Sequence, residues 1–427
     1  MPMWPVNDVP VAERATTAHQ ERTGRAPSHV AHAPATWLLI GEHVDHSGGV
    51  VLAALAEPEV AVALSPRADD LVSVTMHDTT AHGVEKLTDE VSMGVIADLA
   101  AARQPVIDER GRPETPPAPE GGLAVQLAGI VWTLINRQLL SRDTGGLDVT
   151  IVNDIPDGAG LGDEAARGVA FALALLGDGD DLDDAPVRAR IAEVCHQAAE
   201  MFSPVPPLRA RYTAALRGQY DSVSVIDYAD GSVTQAPHPQ SGDLEFYAIT
   251  VEQARVDRSA EILRRRRFVE EACRAFGTES LRLLPDASQR VIEWLTAVHK
   301  VHGEENTPEI GDAAAWLAFE ERETERGLRM ARALRARRID DIWHLIAQSQ
   351  SGLTGPYGLL GSEAMVQLCI VRGALGARAA SAGNVEAVIA GVETRRAPNF
   401  TQDLADDGLA VIRLGRGRVA GLADAGR

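Results

Sequence analysis

Residues 157–166 have the composition of a phosphate-binding loop except at two positions. They read D-G-A-G-L-G-D-E-A-A and follow an alternating apolar run at residues 147–152. The glycines are Gly158, Gly160 and Gly162. A strand, a glycine turn and a helix start expose backbone N–H groups and so make an anion site. Asp163 and Glu164 instead place carboxylates there, and each would repel a phosphate oxygen about 4 Å away by roughly 4 kcal/mol at an effective dielectric of about 20.

The elements around this loop indicate an α+β protein. Alternating or short apolar runs predict strands at residues 36–40, 50–56, 59–64, 71–76, 147–152, 222–227, 244–251, 385–390 and 409–414. Helical spacing predicts helices at residues 11–23, 123–140, 162–176 and 187–201, and four more between residues 258 and 377. Residues 108–122 are rich in proline and predict a surface loop. Strands and helices mix without regular βαβ alternation, which favours α+β over a doubly wound sheet.

Composition and charge limit the partners. The chain has 427 residues, 45% of them hydrophobic, which is enough for two sizeable cores. Its 41 basic and 61 acidic residues give a net charge of -20, so neither nucleic acid nor an anionic membrane is expected as a partner. Three widely spaced cysteines and the lack of a signal or membrane-spanning pattern predict a cytoplasmic protein with buried thiols.

A second segment carries a resemblance to a known family. Residues 33–52 read A-P-A-T-W-L-L-I-G-E-H-V-D-H-S-G-G-V-V-L. They resemble the N-terminal signature of galactokinases, members of the GHMP family of small-molecule kinases, which reads A-P-G-R-V-N-L-I-G-E-H-T-D-Y-N. The glycine loop matches the family's phosphate loop in frame, and later segments such as E-T-E-R at residues 323–326 are similar to family wording. The resemblance covers almost the whole chain.

The resemblance implies a fold, a sugar site and cofactors. It implies a two-lobed GHMP-kinase fold with the active-site cleft between the lobes. We place the lobes at residues 1–205 and 206–427, with the last strands returning to the N-terminal lobe. It assigns Glu42, His43 and Asp45 to the hydroxyl groups of a sugar, a task that suits carboxylates and an imidazole. The alternative is that these residues only brace a turn. ATP and Mg²⁺ are the cofactors that the family implies.

The catalytic positions of the family are changed in this chain. Gap-free counting places Arg211 where galactokinases have the Asp that orients or deprotonates the sugar hydroxyl. The family's arginine in A-P-G-R falls on Thr36. An arginine cannot accept a proton near neutral pH, so general-base catalysis from position 211 is excluded. No residue is therefore assigned as catalytic.

The phosphate-binding positions are changed as well. Gly162, Asp163 and Glu164 stand where the family loop has serines, although carboxylates in the first turn of a helix are also stabilised by its dipole by about 0.3–1 kcal/mol. The family's glycine-rich third motif maps to residues 379–387, A-A-S-A-G-N-V-E-A, which keep one glycine. The tyrosine of the family's E-Y-x-x-R-R falls on Ile262. The loops therefore read as degraded and argue against ATP and Mg²⁺.

Three functions remain open at this stage. The first is a pseudokinase that binds a sugar or sugar derivative, with Arg211 favouring an anionic one. The second is an active ATP-dependent sugar kinase with relocated groups, in which Asp163 or Glu164 holds magnesium. The third is a structural partner of an active kinase, whose protein partner the sequence does not identify. The histidines at 43 and 46 lack the spacing of metal ligands, so no metal site is assigned, and the four arginines at 264–267 are best explained as a solvated face.

Overall fold

The computed structural model describes residues 4–423 except 6, 108–112, 115, 118, 120, 178, 180, 241, 242, 256 and 306. Part of the predicted loop at residues 108–122 therefore lies outside the described residues. The helices of the described part are α1 (Val11–Thr23), α2 (Met93–Ala102), α3 (Leu123–Asn136), α4 (Asp163–Leu175), α5 (Ala185–Phe202), α6 (Arg209–Arg217), α7 (Ser259–Phe276), α8 (Ala287–His302), α9 (Ile310–Arg335), α10 (Ile339–Thr354), α11 (Glu363–Val371) and α12 (Ala397–Asp406).

The strands are interspersed with these helices, and the mixed arrangement confirms the α+β class. They are β1 (His29–Ile40), β2 (Val50–Pro66), β3 (Leu71–Thr80), β4 (Gly83–Ser92), β5 (Val106–Ile107), β6 (Pro113–Glu114), β7 (Leu147–Asn153), β8 (Ser222–Asp227), β9 (Ser232–Pro237), β10 (Leu244–Arg255), β11 (Gly376–Ala380), β12 (Val385–Glu393), β13 (Ala410–Arg413) and β14 (Gly421–Leu422).

The described strands form an eight-stranded sheet, a four-stranded sheet and a two-stranded ribbon. The large sheet runs β14-β1-β2-β7-β3-β4, and β8 joins it by pairing with β2 and carries β9 on its other side. The smaller sheet runs β11-β12-β10-β13, and the ribbon is β5-β6. Strands from beyond residue 205 thus belong to the large sheet: β8 pairs with β2 and β14 pairs with β1. The division into lobes at residues 205 and 206 stays a proposal.

One strand corrects the sequence prediction. The runs at residues 50–56 and 59–64 are not two strands but one, β2, which pairs with β1 on both sides of an irregularity. Ala35 pairs with Ala56 and Pro34 pairs with Glu59, so Glu57 and Pro58 are extra residues in a bulge. A bulge lets a strand contain a proline while the hydrogen-bonded ladder continues on both sides of it. From the local sequence alone, the same residues predict a turn.

Three hydrophobic cores hold the sheets and helices together. Helices α3, α4 and α5 cover the large sheet and share its main apolar core, which includes Phe171 and Phe202. A second core joins α7, α8 and α9 to the ends of β1 and β2. A third core lies between the small sheet and helices α11 and α12. The turn after β1, the glycine loop after β7 and the turn after β11 lie together: Glu42 accepts a hydrogen bond from the N–H of Ser381, and Gly160 packs against Ala380.

Candidate functional site

The turn between β1 and β2 carries the three predicted sugar-binding residues and is buried. Glu42, His43 and Asp45 are between 0% and 3% exposed. The backbone of the turn requires glycine at position 41. Gly41 has φ 92°, and a Cβ there would lie 2.4 Å from the carbonyl oxygen of Val50. His43 has φ 67°, a conformation that a non-glycine residue rarely adopts and that persists only where its surroundings hold it.

Glu42 is engaged by protein groups. Its Oε1 accepts a hydrogen bond from the backbone N–H of Ser381 at 2.6 Å, and its Oε2 accepts one from Arg378 Nη1 at 3.1 Å. Arg378 and Glu42 are almost fully buried, so each charge depends on the other. The pair connects the turn after β1 to the strand β11, 336 residues further along the chain.

Glu323 of α9 extends this network. Its side chain is fully buried, and it accepts hydrogen bonds from the backbone N–H of Gly41 at 3.0 Å and from Ser349 Oγ at 2.5 Å. Its other oxygen accepts from Arg326 Nη1 at 2.6 Å. Arg378 Nε donates to Ser349 Oγ at 2.8 Å, which links the two carboxylate–arginine pairs. The E-T-E-R segment therefore braces the turn after β1.

His43 is neutral and packed between protein groups. Its Nε2 lies 2.8 Å from the carbonyl oxygen of Ala382, so this nitrogen carries the proton and donates. Its ring stacks on Tyr357 with centroids 5.5 Å apart. Burial, with a smaller contribution from the nearby charge of Arg266, lowers the pKa of His43 to about 3.

Asp45 heads a group of buried polar side chains with unused hydrogen-bonding atoms. Within the described part of the chain, Asp45 Oδ2, Glu320 Oε1 and Tyr357 Oη have no hydrogen-bond partner, and neither ring nitrogen of His46 has one. His46 Nε2 lies 3.8 Å from Glu320 Oε1, and His46 Nδ1 lies 3.7 Å from Asp45 Oδ1. Buried polar atoms are normally paired, so this group has the character of a site that a polar ligand or water would complete.

The carboxyl groups of Asp45 and Glu320 respond to burial in opposite ways. Burial raises the pKa of Glu320 to about 8, so that its carboxyl is largely neutral at pH 7. Burial also acts to raise the pKa of Asp45, but the neighbouring His46 side chain and the charge of Arg266 outweigh it and hold this pKa below its usual value. The group thus combines an ionised carboxylate with a carboxylic acid.

The glycine loop has the backbone of an anion site, and other parts of the chain pack against it. Gly158, Gly160 and Gly162 have φ of 74°, 68° and 71°, which explains the choice of glycine. The loop packs against the turn after β11: a Cβ on Gly160 would lie 2.7 Å from Cβ of Ala380. The backbone N–H of Thr36 donates to the carbonyl oxygen of Leu161 at 2.9 Å, which fixes the loop to β1.

Arg211 of α6 connects β1, the loop and the turn after β11. Its Nη1 donates to the carbonyl oxygen of Thr36 at 2.5 Å and lies 3.3 Å from Thr36 Oγ1. Its Nη2 donates to the carbonyl oxygen of Gly160 and to Ser381 Oγ, both at 2.6 Å. The residue is buried, and burial lowers its pKa, while the carboxylates of Glu42 and Asp163 act to raise it.

The two acids of the loop belong to a second set of charges. Asp163 and Glu164 lie in the first turn of α4 after Gly162, the N-cap residue, and Asp163 forms an ion pair with Arg167 one turn later. Burial raises the pKa of Glu164, and burial with the charge of Asp163 raises the pKa of Asp78 to about 6. Asp163 thus faces two cations, Arg167 and Arg211, which gives this carboxylate a structural role.

The structure brings the predicted residues together in two neighbouring groups. Glu42, His43 and Asp45 share one turn, and Thr36, Arg211 and the glycine loop meet beside it. Sequence reasoning missed four contributors: Glu320, Tyr357, Arg378 and Ser381. Ser381 lies within the segment that maps to the family's third motif, whereas Glu320, Tyr357 and Arg378 carry no local motif.

Two features are absent from the described part of the chain. Across the described ranges, no group of three or more His, Cys, Asp or Glu side chains is arranged to hold a metal ion. The helices of the described residues include none that is both long and apolar enough to cross a membrane.

Comparison with known proteins agrees with this geometry. Residues 17–66 match the family model described as the galactokinase galactose-binding signature. The galactokinase of Streptomyces coelicolor is 25% identical over 393 residues, which are 91% of this chain and 90% of that protein. Bovine galactokinase is 30% identical over 273 residues, 63% of this chain and 62% of that protein.

Solved structures share the whole fold. The structure of Lactococcus lactis galactokinase complexed with galactose aligns with a TM-score of 0.71 at 18% identity, over 96% of this chain and 99% of that one. Methanococcus jannaschii mevalonate kinase aligns with a TM-score of 0.56 at 12% identity, over 93% and 99% of the two chains. The fold is therefore that of the GHMP small-molecule kinases, as the sequence predicts. Together, the signature, the curated relatives and this fold make the chain galactokinase-like in sequence and GHMP-kinase-like in fold.

Proposed function

We propose that this protein is a pseudokinase of the galactokinase-like family, which binds a sugar or sugar derivative at the turn after β1 without efficient phosphoryl transfer. The observation that carries the proposal is the position of Arg211. Its guanidinium lies between Thr36, Gly160 and Ser381 and donates to an oxygen of each. It therefore ties the glycine loop to the two elements that face it.

The chemistry of Arg211 argues against phosphoryl transfer at this position. A guanidinium stays protonated and cannot take a proton from a sugar hydroxyl. Losing a positioned base alone lowers a rate by roughly a hundred- to ten-thousand-fold. Transfer of a phosphoryl group also depends on positioning and on stabilising negative charge, and the Thr36 position supplies no charge for this.

The loop does not fit magnesium and a triphosphate in the way that the family implies. The carbonyl oxygen of Gly160 is bound by Arg211, and Ala380 packs directly against this glycine. A phosphate would also meet the carboxylates of Asp163 and Glu164 in the first turn of α4. Asp163 is paired with Arg167, so it would have to leave that partner to hold magnesium.

The sugar side has features that support ligand binding. Asp45 Oδ2, Glu320 Oε1 and Tyr357 Oη are buried and have no hydrogen-bond partner within the described residues. Sugar hydroxyls both donate and accept, so they can satisfy an ionised carboxylate and a protonated one together. The Lactococcus neighbour is complexed with galactose, which makes galactose the first ligand to test. Because the cluster is buried, binding requires the turn after β1 to move away from Ala382 and Tyr357.

The expected preference for an anionic sugar loses its support in this geometry. The two terminal nitrogens of Arg211 already make four contacts with protein oxygens. An acidic ligand would have to replace those contacts, whereas a neutral sugar would not. We therefore propose a neutral sugar for this site.

Thermal-shift titration tests the proposal with galactose and with ATP plus magnesium, alongside an ADP-release assay. We expect galactose to raise the melting temperature, an effect lost in Asp45→Asn. We expect no rise with the nucleotide and no release of ADP above background. Asp403→Asn, on the exposed face of α12, is the control. ADP release that depends on galactose and disappears in Glu164→Ala would establish the active-kinase alternative instead. If no ligand changes the melting temperature and a pull-down with this protein retains a kinase, the result would favour the alternative that this protein is a structural partner of an active kinase.

A further inference from the structure

A groove between α9 and α10 lies apart from the candidate sugar site and is rich in arginine. It has a volume of about 350 Å³, within the range of small-molecule sites. Arg329 and Arg332 come from α9, Arg338 from the link between the helices, and His344 from α10. We propose that this groove binds a small anion that carries a phosphate or diphosphate group. The proposal does not depend on the function of the sugar site.

The charge of this segment is opposite to that of the chain. Residues 322–338 contain seven arginines and two glutamates, whereas the whole chain has a net charge of -20. The sequence suggests that such a helix neutralises itself through pairs four residues apart. Among the described residues, one ion pair joins an arginine of α9 to an acidic residue of the same helix, and it is Arg326 with Glu323.

The two central arginines are available to a ligand. Arg329 and Arg332 are exposed, and their side chains form no hydrogen bond or ion pair with any described residue. They lie three residues apart, on neighbouring positions of one helix face. Guanidinium groups bind phosphate oxygens through paired N–H donors, which favours an oxyanion over a simple halide.

The acidic side chains of the groove do not cancel this charge. Arg338 Nε is 3.2 Å from Asp341 Oδ2, so this carboxylate is already neutralised. Glu325 also lines the groove, but it shares the groove with Arg329, Arg332 and His344. The side chains that line the groove therefore carry a net positive charge. The concave shape of the groove suits a compact ligand better than a protein surface.

Isothermal titration of the full-length protein with inorganic pyrophosphate tests the proposal. The groove variant is Arg329→Gln with Arg332→Gln, and the control is Arg395→Gln with Arg396→Gln, which makes the same change in net charge on exposed arginines elsewhere. We expect one site in the wild type and in the control, and an affinity at least about tenfold weaker in the groove variant. Raising the salt from about 20 mM to about 200 mM should weaken binding to the wild type.

Three results would overturn the assignment. One is a wild type that does not bind pyrophosphate, and another is equal affinity in the groove variant and the control. The third is an acidic peptide that binds the wild type more tightly than pyrophosphate does and does not bind the groove variant. That result would identify the groove as a protein-binding surface. Circular dichroism and melting temperature of the variants establish that a loss of binding is not a loss of folding.

Discussion

Arg211 and Thr36 are in direct contact although 175 residues separate them, with Nη1 of the arginine 2.5 Å from the carbonyl oxygen of the threonine. From the gap-free counting of the sequence, we propose that they occupy the positions where galactokinases have an aspartate on the helix and an arginine on the strand. The positively charged side chain is therefore on helix α6 in this chain, whereas the family has it on the strand that corresponds to β1. In this chain the site holds one buried guanidinium, that of Arg211, and the carboxylates of Glu42 and Asp163 act to compensate its charge.

Removing the guanidinium should weaken the whole junction. Arg211→Ala leaves oxygens of Thr36, Gly160 and Ser381 without their donor, and we expect the free energy of unfolding to fall by about 3 kcal/mol. Urea denaturation measures this change. Arg217→Ala, at the last residue of the same helix, should change stability by only about 0.5 kcal/mol. Equal effects of the two substitutions would contradict the bridging role of Arg211.

The loop glycines should differ in how much they tolerate a side chain. Gly158 and Gly162 both have positive φ, so alanine at either position costs about 1–2 kcal/mol in backbone strain. A Cβ at position 158 meets nothing within 4 Å, whereas one at 162 would lie 2.6 Å from Cδ of Arg211. We expect Gly162→Ala to lose roughly 1–3 kcal/mol more than Gly158→Ala.

An Arg211→Ala background identifies the source of this difference. There the closer obstruction is absent and only the contact with Thr36 Oγ1, at 3.0 Å, remains. The extra cost of Gly162→Ala over Gly158→Ala should therefore shrink in the same urea experiment. An undiminished difference in this background would mean that Arg211 is not the source of the crowding.

Restoring the family's arrangement of charges should show strong coupling. Thr36→Arg adds a second buried cation beside Arg211, and Arg211→Asp places a carboxylate against the oxygens of Gly160 and Ser381. Each change alone should destabilise the fold, while the double variant pairs the two new charges. A double-mutant cycle measured by denaturation should give a coupling of about 1–3 kcal/mol in favour of the pair. Additive losses would indicate that the two positions no longer face each other as in the family.

Glu320 should make stability fall as the pH rises. The pKa of its carboxyl is raised from 4.5 to about 8 in the folded protein. Between these values the unfolded chain releases the proton while the folded chain keeps it. The stability due to this proton is therefore fully present below pH 4.5 and is lost by up to about 1.4 kcal/mol per pH unit as the pH rises to 8.

Glu320→Gln removes this dependence and keeps the shape of the side chain. The variant should gain stability over the wild type between pH 5 and pH 8, and the gain should grow across that range. The neighbouring Glu321→Gln, at an exposed position, should show no such trend. A constant difference between variant and wild type at all pH values would mean that Glu320 is ionised in the fold, for example by pairing with His46.

Local patterns in the sequence predict much of the fold. The alternating run before the glycine loop is β7, and the apolar spacing after it is α4, because burial of one face imposes these periods wherever the strand or helix lies. The prediction failed where local composition misleads. Polar strand β4 was missed because it is an edge strand exposed along much of its length, and β2 was divided in two because its bulge contains a proline.

The sequence alone determined which chemical groups are present: a G-E-H-x-D turn, three glycines with a backbone suited to an anion, two acids beside them, and an arginine in place of a base. Only the tertiary structure decided what these groups contact. It joined Arg211 to Gly160 and Glu42 to Arg378. It also left Asp45, Glu320 and Tyr357 with polar atoms that no described residue pairs with. The physical reason is that periodicity and turn chemistry depend on neighbours within a few residues, whereas the partner of a buried charge is set by how strands distant in sequence pair and which helices cover them.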